Sequence, residues 1–230
     1  PKVNIVTLED PIEYQMVGVN QVQVNPQAGL TFASGLRSFL RQDPNIVMVG
    51  EIRDEETAEL AIQASLTGHL VFSTLHTSSA AGALPRMLDM KAEPYLLAST
   101  ITAIVGQRVS RQICKYCKES YVPTREVIDD IKYILGKLWS FDFAQDKQFQ
   151  LQRGSGCPQC GNTGYSGRIG IFEVLPVTEK IGRLILEHAP DSEIEKQAVS
   201  EGMITMKQDG YLKAVEGITT LEEVIRVAQE

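Results

Sequence analysis

The sequence contains no apolar run of the ~18–20 residues that a membrane-spanning helix needs. Its longest candidate, Tyr95–Val105, is broken by Ser99, Thr100 and Thr102. Positive charge is not in excess: 22 Lys+Arg stand against 29 Asp+Glu, a net charge of −7. That balance argues against a broad nucleic-acid surface, where binding phosphates requires clustered Lys and Arg. There is no internal repeat, no low-complexity tract and no signal peptide. The chain does not open on Met; it begins Pro1-Lys2-Val3-Asn4 and enters an apolar strand at once, so it reads as a piece of something longer. What remains is the composition of a soluble globular protein, with 230 residues of which 43% are hydrophobic and 22% charged, enough for one or two domains with a real core.

Cysteine is scarce but organised. The four fall in two C-x2-C pairs, Cys114-Lys115-Tyr116-Cys117 and Cys157-Pro158-Gln159-Cys160. Such a turn points two thiolates at one ion, and two turns supply the four sulfurs of a closed, structural zinc site. Gly154, Gly156, Gly161 and Gly164 leave the second pair free to turn. The competing readings are two disulfides, which suit secreted chains, and two redox motifs. Redox motifs would need a helix N-terminus beside each pair, and Pro158 sits poorly with two equivalent sites.

Val3–Leu8 reads as a buried strand ending in acids, Glu9, Asp10 and Glu13. Val17–Asn25 (VGVNQVQVN) alternates strictly, as an edge or hairpin strand does. Thr31 can cap a helix through about Arg41, which Asp43-Pro44 stops. Ile46–Val49 (IVMV) suits a central parallel strand covered on both faces. Asp54 then caps a helix over Glu55–Thr67, closed by Gly68, and His69–Leu75 is a second apolar strand. Strand, helix, strand is a βαβ unit, so a parallel sheet is expected. Further helices are expected near Ser78–Asp89, after Pro94, over Asp129–Trp139, and from Thr178 and Asp191. Another over Thr205–Glu216 would be interrupted by Gly210, and Thr220 with Glu223 reads as a capping box for the last helix. Gln107–Ile113 leads into the first cysteine pair and Gly167–Leu175 leaves the second as a strand. Ser140–Gln150 reads as a loop.

Ligands of open parallel sheets sit beyond the carboxyl ends of the strands. Three expected strands end there in ionisable or polar residues: Glu9, Asp10 and Glu13; Glu51; and Thr74 with His76. Carboxylates after apolar strands are what a nucleotidase needs to orient water or hold Mg²⁺, and a hydroxyl and imidazole beside them can sense a γ-phosphate. Taken singly, each has a blander reading. Glu51 can start a turn paired with Arg53, His69 can be a satisfied structural histidine, and Arg37 with Arg41 can be a solvated helix face.

Three stretches carry a family likeness: VTLEDPIEY (6–14), GLRSFLRQDPNIVMVGEIRDEETAELAIQASLTGHLVFSTLHT (35–77) and GCPQCGNTGYSGRIGIFEVL (156–175). They resemble the hexameric secretion ATPases of type II secretion and type IV pilus assembly, over nearly the whole chain. The resemblance implies an α/β fold: a RecA-like parallel-sheet core, incomplete at its N-terminus, over 1–110, a tetracysteine zinc-binding subdomain over 111–170, and a C-terminal strand and helical region over 171–230. It puts Asp10 and Glu13 in the family's Asp box beside Glu9, and matches Glu51 to the Walker B glutamate. His69 and His76 match the His box that couples γ-phosphate state to domain movement, with Thr74 beside it. Arg37, Arg41 and Arg53 match recurrent arginines, the first two near a subunit boundary. Cys114, Cys117, Cys157 and Cys160 match the zinc ligands, which pilus-retraction ATPases lack. The implied cofactors are ATP, Mg²⁺ and Zn²⁺. The implied assembly is a cytoplasmic homo-hexamer at the inner face of the membrane, held through an inner-membrane platform protein, with no direct nucleic-acid partner.

Two departures qualify the likeness. No G-x-x-x-x-G-K-[ST] occurs anywhere in the sequence, although that loop and its lysine hold the β- and γ-phosphates. The chain is therefore expected to begin after its own phosphate loop and to be inactive alone. The stretch FDFAQDK, within Trp139–Gln150, also departs from the family pattern. Two other readings remain open from the sequence: a non-catalytic, zinc-stapled interaction module, and a conjugative or DNA-translocating ATPase of the same superfamily.

Overall fold

A computed structural model describes residues 2–139 and 149–228; most of the expected loop 140–150 lies outside the described residues. Packing divides the chain into two compact units. The first comprises residues up to Ile104 together with Pro176–Ala198. Its centre is a four-stranded sheet in the order β2-β1-β3-β4, formed by β1 (Ile5–Glu9), β2 (Asn20–Gln23), β3 (Ile46–Val49) and β4 (Leu70–Ser73). Every pairing is parallel, with Leu8 opposite Val22 and Val49, and Val49 opposite Ser73. All four carboxyl ends therefore emerge on one edge.

The local chemistry explains the elements around this sheet. Thr31 caps α1 (Phe32–Phe39), its hydroxyl accepting from the Ser34 N–H. Asp54 caps α2 (Glu55–Leu66), taking the Thr57 N–H at 2.8 Å. α3 (Ala83–Asp89) follows, and Pro94 occupies the first turn of α4 (Pro94–Thr100), where its missing N–H costs nothing. α4 packs on α6 (Glu179–Leu186), which Thr178 caps, and α2 packs on α1 and α4. Leu8, Leu36, Val47, Val49, Leu84, Leu97, Ile181 and Ile185 form a fully buried core.

β3 is the central strand that its apolar run predicts. β2 is the edge, shorter than the alternating stretch 17–25 and parallel to β1, so the hairpin reading is excluded. β4 is the opposite edge, and its Leu70 and Phe72 remain exposed.

The second unit comprises Val105–Leu175 and Val199–Glu230. It holds most of the two-stranded sheet of β5 (Ala103–Ile113) and β8 (Tyr165–Pro176), and an antiparallel pair, β6 (Lys118–Tyr121) with β7 (Leu151–Gly154). α5 (Arg125–Leu135), α8 (Met206–Val215) and α9 (Leu221–Ala228) bury Ile131, Leu135, Tyr211, Ala214, Leu221 and Val224 with Leu151. α7 (Asp191–Ser200) begins at the expected Asp191, and its residues up to Ala198 belong to the first unit.

Gly210 does not interrupt α8; it lies inside the helix, at a point where a Cβ would collide with Val224 Cγ1. The Thr220–Glu223 cap forms its hydroxyl half, Thr220 accepting from the Glu223 N–H. The Glu223 carboxylate is drawn instead to Arg111 and Arg226.

Candidate functional site

The carboxyl edge of the first unit's sheet carries a cleft of about 430 Å³. Glu9, Asp10 and Glu13 come to it from the end of β1, Glu51 from the end of β3, and Thr74 and His76 from the end of β4. Parallel pairing is the cause: strands in register bring Glu9 and His76, 67 positions apart in sequence, to one edge. Phe32, Met48, Gly50 and Arg53 complete much of the lining.

Glu51 is the centre of the local hydrogen bonding. Arg53 Nε donates to its Oε2 at 2.6 Å, and His76 Nε2 lies 3.2 Å from the same oxygen. Because a carboxylate accepts, the imidazole carries its proton on Nε2 in this contact. Gly50 explains the Gly-Glu sequence at this strand end. A Cβ at position 50 would meet the Leu8 carbonyl oxygen at 2.9 Å and Phe32 Cε1 at 3.4 Å, so the backbone passes β1 too closely for a side chain. Its N–H instead bonds Leu8 O at 2.7 Å, and its carbonyl accepts the Thr74 hydroxyl at 2.6 Å. Glu9 is buried and accepts from the Thr7 hydroxyl at 2.6 Å and from Gln21 Nε2 at 2.8 Å, whereas Asp10 and Glu13 are exposed.

Three expected site residues are not brought to the cleft. His69 immediately precedes β4, at the end of the sheet opposite His76. Its Nδ1 lies 2.8 Å from the Ala64 carbonyl, to which it donates, and 3.0 Å from Thr67 Oγ1. It thus closes the end of α2. Arg37 pairs with Glu56 on the exposed surface of α1 and α2, and Arg41 is exposed just beyond α1. Gln21, which the sequence reading passed over, contacts the cleft's acidic strand end directly; its signal was its place in the alternating β2 stretch.

The donor set fits one part of a nucleotide site. Carboxylates clustered in a cleft of this size suit a hard cation such as Mg²⁺ and an ordered water. Among the described residues no lysine lines this cleft, in keeping with the absent phosphate-loop motif.

The four cysteines converge in the second unit, with all Sγ atoms within 4.8 Å of one another. Cys114–Cys157, Cys117–Cys160 and Cys157–Cys160 are 3.8, 3.9 and 3.7 Å apart. A disulfide requires about 2.0 Å, whereas tetrahedral Zn–S bonds of ~2.3 Å imply sulfur edges of about 3.8 Å. The cluster therefore has the dimensions of a Cys₄ zinc site and not of two disulfides. Gly156, Gly161 and Gly164 adopt positive φ around the second pair, as the glycine-rich sequence suggests. Burial opposes ionisation of Cys160, but the N–H groups of Cys157 and Gly164, each 3.3 Å from its sulfur, bring its pKa down to about 6. Burial pushes Cys117 up to about 12, with the Gly156 N–H opposing and the neighbouring sulfurs adding to the rise.

The family model described as "Type II/IV secretion system protein" matches residues 1–226. The chain is 46% identical over 225 residues to the type IV pilus assembly ATPase PilB of Thermus thermophilus, covering 98% of this chain and 24% of that protein. It is 47% identical over 227 residues to the type II secretion system ATPase E of Vibrio cholerae, covering 99% of this chain and 43% of that one. Among solved structures it is similar to the pilus retraction motor PilT with bound ADP, with a TM-score of 0.66 and 26% identity over 99% of this chain and 53% of that one. The chain thus spans less than half the length of these curated relatives.

Proposed function

The chain belongs to the type II/IV secretion system protein family, and from that premise we propose that it supplies the water-activating and metal-binding part of an ATPase site that powers pilin or pseudopilin assembly. The observation that carries this is the convergence of Glu9, Asp10, Glu13 and Glu51 with Thr74 and His76 at one edge of the sheet. In this reading, Glu13 and Glu51 order a water for in-line attack on the γ-phosphate and hold Mg²⁺. Mg²⁺ held by these carboxylates would offset negative charge on the nucleotide's phosphates. His76 registers the phosphate through its bond to Glu51, and His69 anchors the start of the same strand. Arg53 fixes the Glu51 carboxylate. Arg37 and Arg41 are assigned to a subunit boundary, and an arginine from a neighbouring domain or subunit offsets charge developing on the phosphoryl group.

The wider proposal is a homo-hexameric motor working at the inner face of the cytoplasmic membrane through an inner-membrane platform protein. Residues 1–110 contribute to the motor core and 111–170 the zinc subdomain. Residues 171–230 add the C-terminal strand and helices. Zinc in the Cys₄ cluster is structural, because four protein ligands leave no open position. The cluster, together with the names of the relatives, favours assembly or export over retraction. Phosphate release from Mg²⁺-ATP tests the reading. Protein expressed from the complete gene turns ATP over, and the 230-residue chain alone, without a G-x-x-x-x-G-K-[ST] sequence, turns over essentially none. Mg²⁺-dependent turnover by the isolated chain, or none by the complete gene product, overturns it.

A further inference from the structure

The alternating stretch VNQVQVN has no role in the reading so far beyond forming an edge strand, yet its glutamines contact the loop that carries Asp10 and Glu13. Gln21 Nε2 donates to Glu9 Oε1 at 2.8 Å and to the Tyr14 carbonyl at 3.0 Å. Gln21 Oε1 accepts the Met16 N–H at 2.7 Å. Two residues along the strand, Gln23 Oε1 lies 3.4 Å from the Ile12 N–H. The amide orientation at Gln21 follows from these partners. A flipped amide would set its oxygen against two acceptors and its NH₂ against an N–H, losing all three bonds. One side chain on β2 therefore ties the buried carboxylate at the end of β1 to the backbone on the far side of Glu13.

We propose that Gln21 is a positioning residue for the acidic loop: it fixes residues 12–16 over the edge of the sheet and so sets where Glu13 stands relative to Glu51. This rests on the assignment of Glu13 to water and Mg²⁺ above. An amide suits the task better than a cation. It satisfies Glu9 without neutralising it, so the negative field that attracts a divalent cation is kept. It also offers a donor and an acceptor at once, which neither Lys nor Arg does. Asp10 and Glu13 are exposed, so burial does not hold the loop. The bonds to Gln21 and Gln23 supply that restraint, and a displacement of about 1 Å at a reacting group costs on the order of 10²-fold in rate.

The test compares Gln21→Leu and Glu13→Gln in the protein expressed from its complete gene, by Mg²⁺-ATP turnover and amide hydrogen exchange. Gln21→Leu is expected to lower kcat by about 10- to 100-fold and to raise the Mg²⁺ concentration for half-maximal rate. The KM for ATP should stay within about twofold, because in this reading the loop acts on water and Mg²⁺ and not on the nucleotide base. Faster exchange should be greatest at the Met16 amide, which loses its acceptor, and confined to the loop that carries Glu13. Unchanged kcat and Mg²⁺ dependence beside an inactive Glu13→Gln would overturn the inference, as would faster exchange throughout the sheet. An active Glu13→Gln would instead overturn the role of Glu13, and local exchange at Met16 would still decide whether Gln21 anchors the loop. If Gln21→Leu does not fold, Gln21→Glu keeps the acceptor for Met16 but lacks the donor, and the same readouts apply to it.

Discussion

His76 Nε2 lies 3.2 Å from Glu51 Oε2, joining an imidazole that is 82% exposed to a carboxylate that is 11% exposed. The two residues end adjacent parallel strands, so a change at the mouth of the cleft reaches the buried acid through one bond. If His76 registers the phosphate, its loss should disturb turnover more than binding. His76→Ala in the complete gene product is expected to lower kcat by at least about tenfold, with ATP affinity nearly unchanged. Equal loss in kcat and in nucleotide affinity would point to a direct binding role.

The sulfur spacing makes a prediction about metal content. Purified protein should carry about one Zn²⁺ per chain by elemental analysis, and Cys160→Ser should lose it. Chelation should lower the unfolding temperature of the second unit, because the energy of a structural zinc site is folding energy. Two disulfides and no metal would contradict the assignment.

A third prediction concerns pH. The Arg111 guanidinium bonded to Glu223 holds that carboxyl well below the usual carboxylate range; burial opposes this, and Arg226 and the Arg111 N–H add to the lowering. A carboxyl with a depressed folded pKa binds fewer protons folded than unfolded. It therefore contributes stability that is present above its unfolded value of about 4.3 and is lost as pH falls towards the folded one. Glu223→Gln should cost about 1.5–3 kcal/mol at pH 7. In urea unfolding the gap between variant and parent should narrow below about pH 4. A gap of the same size at pH 7 and pH 3 would mean that packing, not the ion pair, sets the cost.

The sequence was most legible where local chemistry sets the outcome. Thr31, Asp54 and Thr178 cap the helices they precede, IVMV is the central strand, and the C-x2-C pairs meet. The convergence of Glu9, Glu51 and His76 was legible as well, because a parallel sheet puts strand ends on one edge. What failed depended on tertiary contact. Gly210 looks like a helix breaker until Val224 is packed on it. Glu223 looks like half of a capping box until Arg111, more than a hundred residues earlier, arrives beside it. The parallel pairing of β2 was hidden because so short a connection usually joins antiparallel strands. Gln21 was hidden because a polar residue on an alternating strand ordinarily faces solvent. His69 carried a motif's expectation, but its position just before β4 places it at α2 and away from the cleft.

The central claim is that the carboxylates beyond β1 and β3 perform one task together, and steady-state phosphate release tests it most directly. Mg²⁺-ATP turnover is measured for the complete gene product and for its Glu13→Gln, Glu51→Gln and doubly substituted forms. Each single change is predicted to lower kcat by about 10²-fold or more, with the double change little worse than the more damaging single one, as for residues that act as a unit. Turnover at the parent rate in both single variants would contradict the account.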